Sequence, residues 1–173
     1  MPFTVRRKAN PDALPADVRA RVELLPKERI LATAHDRTGT WVLVGTARLY
    51  AVPPAGDVLA RPWHLVDGGN WNHDEFTLTV SWVDGARPQQ WVFRDSTALL
   101  AALRERVQAS VVLAEVIPLG SRQARVVIRK NLADGTLHDQ TILGRGVRMT
   151  DPGVAEALSD ARARLREQVG LDT

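Results

Sequence analysis

The chain has no cysteine among its 173 residues. Disulfides, thiolate metal centres and a cysteine nucleophile are therefore excluded. Lysine and tyrosine are scarce too, with three of the first and one of the second. So little titrates between histidine and lysine that a net charge of +3 lifts the isoelectric point to about 9.9. The high value thus signals missing buffer groups rather than a cationic body. Residues 1–60 carry nine basic and six acidic side chains, residues 61–120 five and seven, residues 121–173 nine and seven. Arg6, Arg7 and Lys8 alone equal the excess, so no general affinity for nucleic acid follows. Long apolar runs are missing as well. The longest, "ALLAAL" at 98–103, falls far short of a bilayer span. The opening "MPFTVRRKANPDALP" has no apolar stretch of the secretory kind, and neither end shows a lipidation motif. The expectation is a cytoplasmic chain without integral membrane association. Phosphate-binding glycine loops, the GxSxG elbow and a Ser-x-x-Lys pair are all lacking. "GRG" at 144–146 is read as the end of a hairpin. No enzymatic activity and no cofactor are expected.

What is present is a change of rhythm. Residues 1–12 read as a disordered basic arm. "LPADVRARVELLP" predicts a short helix, with Pro15 in its first turn, Val18, Val22 and Leu25 on one face, and Pro26 ending it. From 28 to 93 the period becomes two. "ERILATA", "TWVLVG" and "ARLYAV" read as strands, the last two joined by a tight turn at Gly45-Thr46. "EFTLTVSW", 75–82, places Phe76, Leu78, Val80 and Trp82 on one face. Asp84-Gly85 turns the chain, and "QQWVF" returns with Trp91 and Phe93 together. A helix is expected over 95–115, capped by Asp95, with Leu99, Leu100, Leu103, Val107 and Val111 as its apolar stripe. "ARVVIRKN" and "LHDQTILG" flank a hairpin loop. "DPGVAEALSDARARLREQVG" predicts a last helix, capped by Asp151, with Pro152 first, Gly170 stopping it, and Val154, Leu158, Ala161, Leu165 and Val169 buried. Strands grouped ahead of the helices imply an α+β chain: a mostly antiparallel sandwich or partly open barrel capped by a helix, over 13–115, with a hairpin-helix extension over 116–173.

The stretch "KERILATAHDRTGTWVLVGTARLYAV", followed by "RPWHLVDGGNW", "EFTLTVSWVDG", "WVF" and an amphipathic helix, resembles the bacterial pleckstrin-homology-like (PH-like) domains over roughly residues 20–115. The arginine-rich, lysine-poor composition is similar to that of small actinobacterial proteins. The resemblance implies a seven-stranded bent sandwich closed by one helix, used as an interaction module. It does not extend to phosphoinositide binding, because the first inter-strand loop offers His35 and Arg37 with Asp36 between them, a poor phosphate cup.

Two polar clusters stand out. "HLVDGGNWNHDE" gathers His64, Asp67, His73, Asp74 and Glu75 around Gly68-Gly69. Two histidines nine apart could converge on zinc if their strands paired, but Gly68-Gly69-Asn70 reads as a turn, with "NHDE" the connection into the next strand. The second cluster is "SRQARVVIRK". Arg125 and Arg129 share a strand face, and Arg145 and Arg148 follow the partner strand. Together they form a candidate anion or partner surface able to track a phosphate backbone, although no aromatic lies beyond Phe93 to stack a base. A protein partner is expected, with nucleic acid or another anionic surface as the alternative.

Overall fold

The computed structural model describes residues 13–94 and 97–171, with residue 97 as backbone only. The expected basic arm at 1–12 and the Asp95 cap lie outside the described residues. Within them the chain is mixed α+β, built of three antiparallel sheets and three helices. A short α1 (Ala16–Ala20) leads into β1 (Ile30–His35), β2 (Trp41–Gly45), β3 (Arg48–Val52) and β4 (Leu59–Pro62), which form the first sheet in chain order. After a single 3-10 turn, Trp63–Leu65, β5 (Val66–Asn72), β6 (Thr77–Trp82) and β7 (Gln89–Val92) form the second. Then come α2 (Thr97–Ser110), β8 (Val111–Leu119), β9 (Arg122–Lys130), β10 (Leu137–Leu143) and α3 (Val154–Gln168), the last three strands ordered β10-β9-β8.

The first two sheets and α2 enclose one core. Val42, Val44, Leu49 and Ala51 from the first sheet meet Leu78, Val80, Trp82 and Trp91 from the second, and Leu99 and Leu103 from the helix. Each such side chain removed from water stabilises the fold by about 2 kcal/mol. The opposite face of the first sheet is covered too. Trp41, Leu43, Tyr50 and Val52 pack with Val22 of the N-terminal segment. Every residue of β2 is therefore buried, which explains why "WVLVG" reads as an unbroken apolar run rather than an alternation. The sheets do not close into a barrel. One link bridges them at the β1 end, where Arg37 N donates to Val92 O at 2.9 Å. Trp63, fully buried, ties the 3-10 turn to β2 by donating Nε1–H to Gly45 O at 2.9 Å.

Several expectations need correction. The first helix is only five residues long. Beyond it, Arg21 holds the segment down through Pro53 O and Gly56 O, at 2.5 and 2.7 Å. Phe76 does not share the buried face of Leu78, Val80 and Trp82. It sits in the turn before β6 with φ of 52° and is 43% exposed. The helix expected over 95–115 stops at Ser110, and Val111 opens β8 rather than ending an apolar stripe. β-Branched Val111 and Val112 favour the strand, and β9 supplies a ladder for it from Val111↔Arg129 to Leu119↔Arg122. The third sheet therefore begins at 111, inside the region assigned to the sandwich. Asp151 does not cap α3. That position is Gly153 at φ 74°, while the Asp151 carboxylate accepts from Arg148 N at 3.1 Å in the preceding turn.

The far end of α3 matches expectation. Leu171 N donates to Arg166 O at 2.9 Å and Gly170 N to Glu167 O at 3.1 Å, with Gly170 at φ 69°. This paired closure needs a left-handed residue at the glycine. Val154, Leu158, Ala161 and Leu165 are buried against Ile117, Ala124, Val126 and Ile128 of the third sheet. α3 thus covers one face of that sheet; on the other, Arg125 and Arg129 of β9 reach the sandwich at Asp67 while Ala114 and Val116 of β8 stay exposed.

Candidate functional site

The two clusters picked out in the sequence meet in space. Asp67, at the start of β5, receives Arg125 Nη2 from β9 on its Oδ1 at 2.8 Å. Arg129 Nη2 donates to the Asp67 carbonyl at 3.2 Å and lies 3.8 Å from the same carboxylate. Arg129 Nη1 reaches Ser110 Oγ, at the C-terminus of α2, at 3.1 Å. A cation there also offsets the negative end of the helix dipole. The Arg129 side chain is only 2% exposed. Burial pushes its guanidinium below its ordinary value, and Asp67 opposes that. One carboxylate between two guanidiniums is what makes this burial tolerable.

Alternation along β9 and β10 extends the seam. Arg129 pairs with His138 and Val127 with Gln140 across the strands. His138 stacks on His64, with ring centroids 4.3 Å apart and planes within 8°. Gln140 Nε2 donates to His64 O at 2.7 Å. His64 Nδ1, His138 Nε2, Gln140 Oε1 and Arg129 Nε are buried without a hydrogen-bond partner among the described residues. Burial, and next the neighbouring His138, push the His64 imidazole down from its ordinary value. The seam is a polar joint between the sandwich and the extension, tight at Asp67 and undersatisfied at the histidines.

The remaining sequence candidates go elsewhere. His73 lies beyond the end of β5 while His64 precedes its start, so the two cannot converge on a metal. Among the described residues no group of three or more His, Asp or Glu side chains forms a metal set. His73 instead accepts Trp71 Nε1–H at 3.2 Å. Asp74 and Glu75 are exposed, and their backbone N–H groups bond to Asn72 Oδ1 at 3.0 and 3.2 Å. The turn is therefore at 73–76, and Gly68 and Gly69 are strand residues paired with Ser81 and Val80. That corrects the reading of Gly68-Gly69-Asn70 as the turn. Gly69 marks a close approach of α2 to β5. A Cβ there would lie 2.9 Å from Leu103 Cδ2, so its absence lets α2 approach β5. Arg145 and Arg148 are exposed, but Arg129 is buried and Arg125 is bound to Asp67. The four arginines do not form one open face.

No family model, curated protein or solved structure matches this chain. Function must therefore be argued from its own surface.

That surface holds one feature the sequence reading missed. Among the described residues β5 is the outer strand of its sheet and pairs with β6 alone. Beside it runs a groove of about 440 Å³, lined by Gly68, Gly69 and Trp71 on β5 and by Leu100, Leu103 and Val107 on α2, with Arg104 and Gln108 on its rim. Gly69 and Asn70 are exposed along this edge. The Asp67 carbonyl is already taken by Arg129, so the open edge starts at Gly68. The signal was available in principle: a glycine pair inside a period-two stretch marks close approach of another element.

Proposed function

We propose that this chain is a non-enzymatic protein-interaction module on a PH-like scaffold, and that it captures an extended peptide as an added strand on β5. The observation that carries the reading is the open β5 edge lying against an apolar groove. An incoming strand would take its backbone hydrogen bonds from the edge and place alternate side chains against Trp71, Leu100, Leu103 and Val107. The scaffold reading draws support from element order. A four-stranded sheet, a three-stranded sheet and then a helix follow in the sequence expected from the resemblance.

Phosphoinositide binding finds no support in the first inter-strand loop. Asp36 Oδ1 there accepts Thr38 N, Thr38 Oγ1 and Thr40 N at 2.9, 2.7 and 2.8 Å. A carboxylate fills the place a phosphate would need. No helix among the described residues is long and apolar enough to cross a membrane.

Selection from a displayed library of extended peptides, followed by NMR titration, tests the reading. The selected sequences should alternate apolar and polar residues, and should shift amides of Gly68–Asn72 and α2. Leu100→Gln, at a half-buried position of the groove wall, should weaken binding about ten-fold while leaving the circular dichroism unchanged. Shifts confined to any other surface would discard the groove.

A further inference from the structure

The groove is electrically polarised along its length, and this selects the direction of its occupant. At the β5 start, Arg125 and Arg129 face the single carboxylate of Asp67, leaving one positive charge in excess. Arg104 stands further along the α2 rim, next to Leu103 at the level of Gly69, with no ion pair among the described residues. The Arg125 side chain remains 36% exposed, so part of this charge reaches solvent. At the other end Asp74 and Glu75 stand exposed just past Asn72, without an ion pair among the described residues; exposed Arg94 follows Phe93, whose N–H bonds to Phe76 O, so this end carries one net negative charge. His73, between Asn72 and Asp74, accepts a hydrogen bond from Trp71 Nε1–H at 3.2 Å. A strand of five residues, Gly68 to Asn72, spans roughly 17 Å. The two charged ends are therefore separated by more than a Debye length at physiological salt and act independently.

We infer that the partner segment lies antiparallel to β5, with a basic flank on its N-terminal side over Asp74 and Glu75 and an acidic flank on its C-terminal side over Arg125. This rests on the strand-addition reading and names the occupant's chemistry. Antiparallel pairing is somewhat more stable per residue than parallel, and it gives a peptide one sense of travel. The acidic flank can be side-chain carboxylates or a free chain terminus. The N-terminal amine of a short ligand adds to the basic end.

The test uses two synthetic peptides with the same alternating valine-threonine core of six residues. One carries two N-terminal lysines and two C-terminal glutamates, the other has these flanks exchanged, and both have blocked termini. The first should bind about five-fold more tightly at low salt, and the gap should shrink as salt is raised. A nitroxide on its N-terminus should broaden amides of Asn72–Glu75 and spare Gly68. Asp74→Lys with Glu75→Lys, both on the exposed turn, should abolish the difference without altering the fold. Equal binding of both peptides, or broadening at Gly68, overturns the polarity and leaves the groove reading intact. Absence of any shift on β5 or α2 with either peptide overturns both.

Discussion

Four donors converge on the Glu28 carboxylate: Leu25 N at 3.0 Å, Ala47 N at 3.1 Å, Arg48 N at 2.9 Å and Tyr50 Oη–H at 2.6 Å. One acid thereby clamps the N-terminal segment to the β2–β3 turn. Gly45 leaves it room, since a Cβ there would lie 2.5 Å from Glu28 Oε1. Glu28→Ala strands these donors, and a loss of about 3 kcal/mol is expected in urea unfolding. Glu28→Gln keeps one acceptor oxygen and should cost about half as much. Burial, and then the Glu28 hydrogen bond, push the Tyr50 phenol well above its ordinary value. Because it is the only tyrosine, the phenolate absorbance of the folded protein should stay flat through pH 10 and rise only on unfolding. The sign follows from linkage. The folded value is raised, so stability is full below about pH 10 and declines above it, where the unfolded phenol ionises.

Three predictions belong to the elements. Asp67→Ala removes the carboxylate facing Arg125 and buried Arg129, and should destabilise by about 3 kcal/mol. Arg129→Met removes the buried charge itself and should cost less, although it leaves Ser110 and the Asp67 carbonyl without that donor. Gly144→Ala places a Cβ 2.1 Å from the Gln123 carbonyl, and backbone cannot yield as a side chain does. A loss of about 2 kcal/mol is expected, seen first as amide exchange at the Leu143 end of β10. The elements also show where sequence is legible. β6 and β7 alternate cleanly because each has one wet face, and Leu78, Val80, Trp82 and Trp91 lie buried as their spacing implies. β8 was invisible as a strand because Ser110 passes into Val111 without a loop, so its "VVLAE" continues a helical stripe in the sequence. The Asp67–Arg125 contact joins residues 58 apart, and no local pattern encodes such a pairing. Both partners were singled out, but as separate clusters.

At the scale of the whole molecule, polar contacts at Asp67, His64 and Gln140 carry much of the joint between the extension and the sandwich, with Leu132 of the extension packed against the sandwich core. The two hydrophobic clusters remain distinct, one around Trp63 and Phe93 and one under α3. Acid should therefore act on the joint. The folded His64 imidazole is depressed, so stability is full above about pH 6.5 and falls as the pH drops toward the folded value, while the unfolded state takes up the proton. For that one proton the slope can reach at most about 1.4 kcal/mol per pH unit. Arg162 first, then its own charge and Arg166, hold the Asp139 carboxyl below its ordinary range. Its contribution is present above about pH 4 and is lost below that. Hydrogen exchange across pH 7 to 5, corrected for the intrinsic rate at each pH, should show β9 and β10 amides losing protection before those of β2 and β3, and His64→Phe should flatten the effect. Equal loss of protection everywhere would show that the joint does not yield first.

The direct passage from Ser110 to Val111 has a mechanical side. The wall of the groove and an outer strand of the third sheet are one uninterrupted length of backbone, with no slack between them. A segment wedged against Leu103 pushes on a rod whose other end is stitched into β9. Splicing a few flexible residues between 110 and 111 would leave both parts folded and cut that linkage.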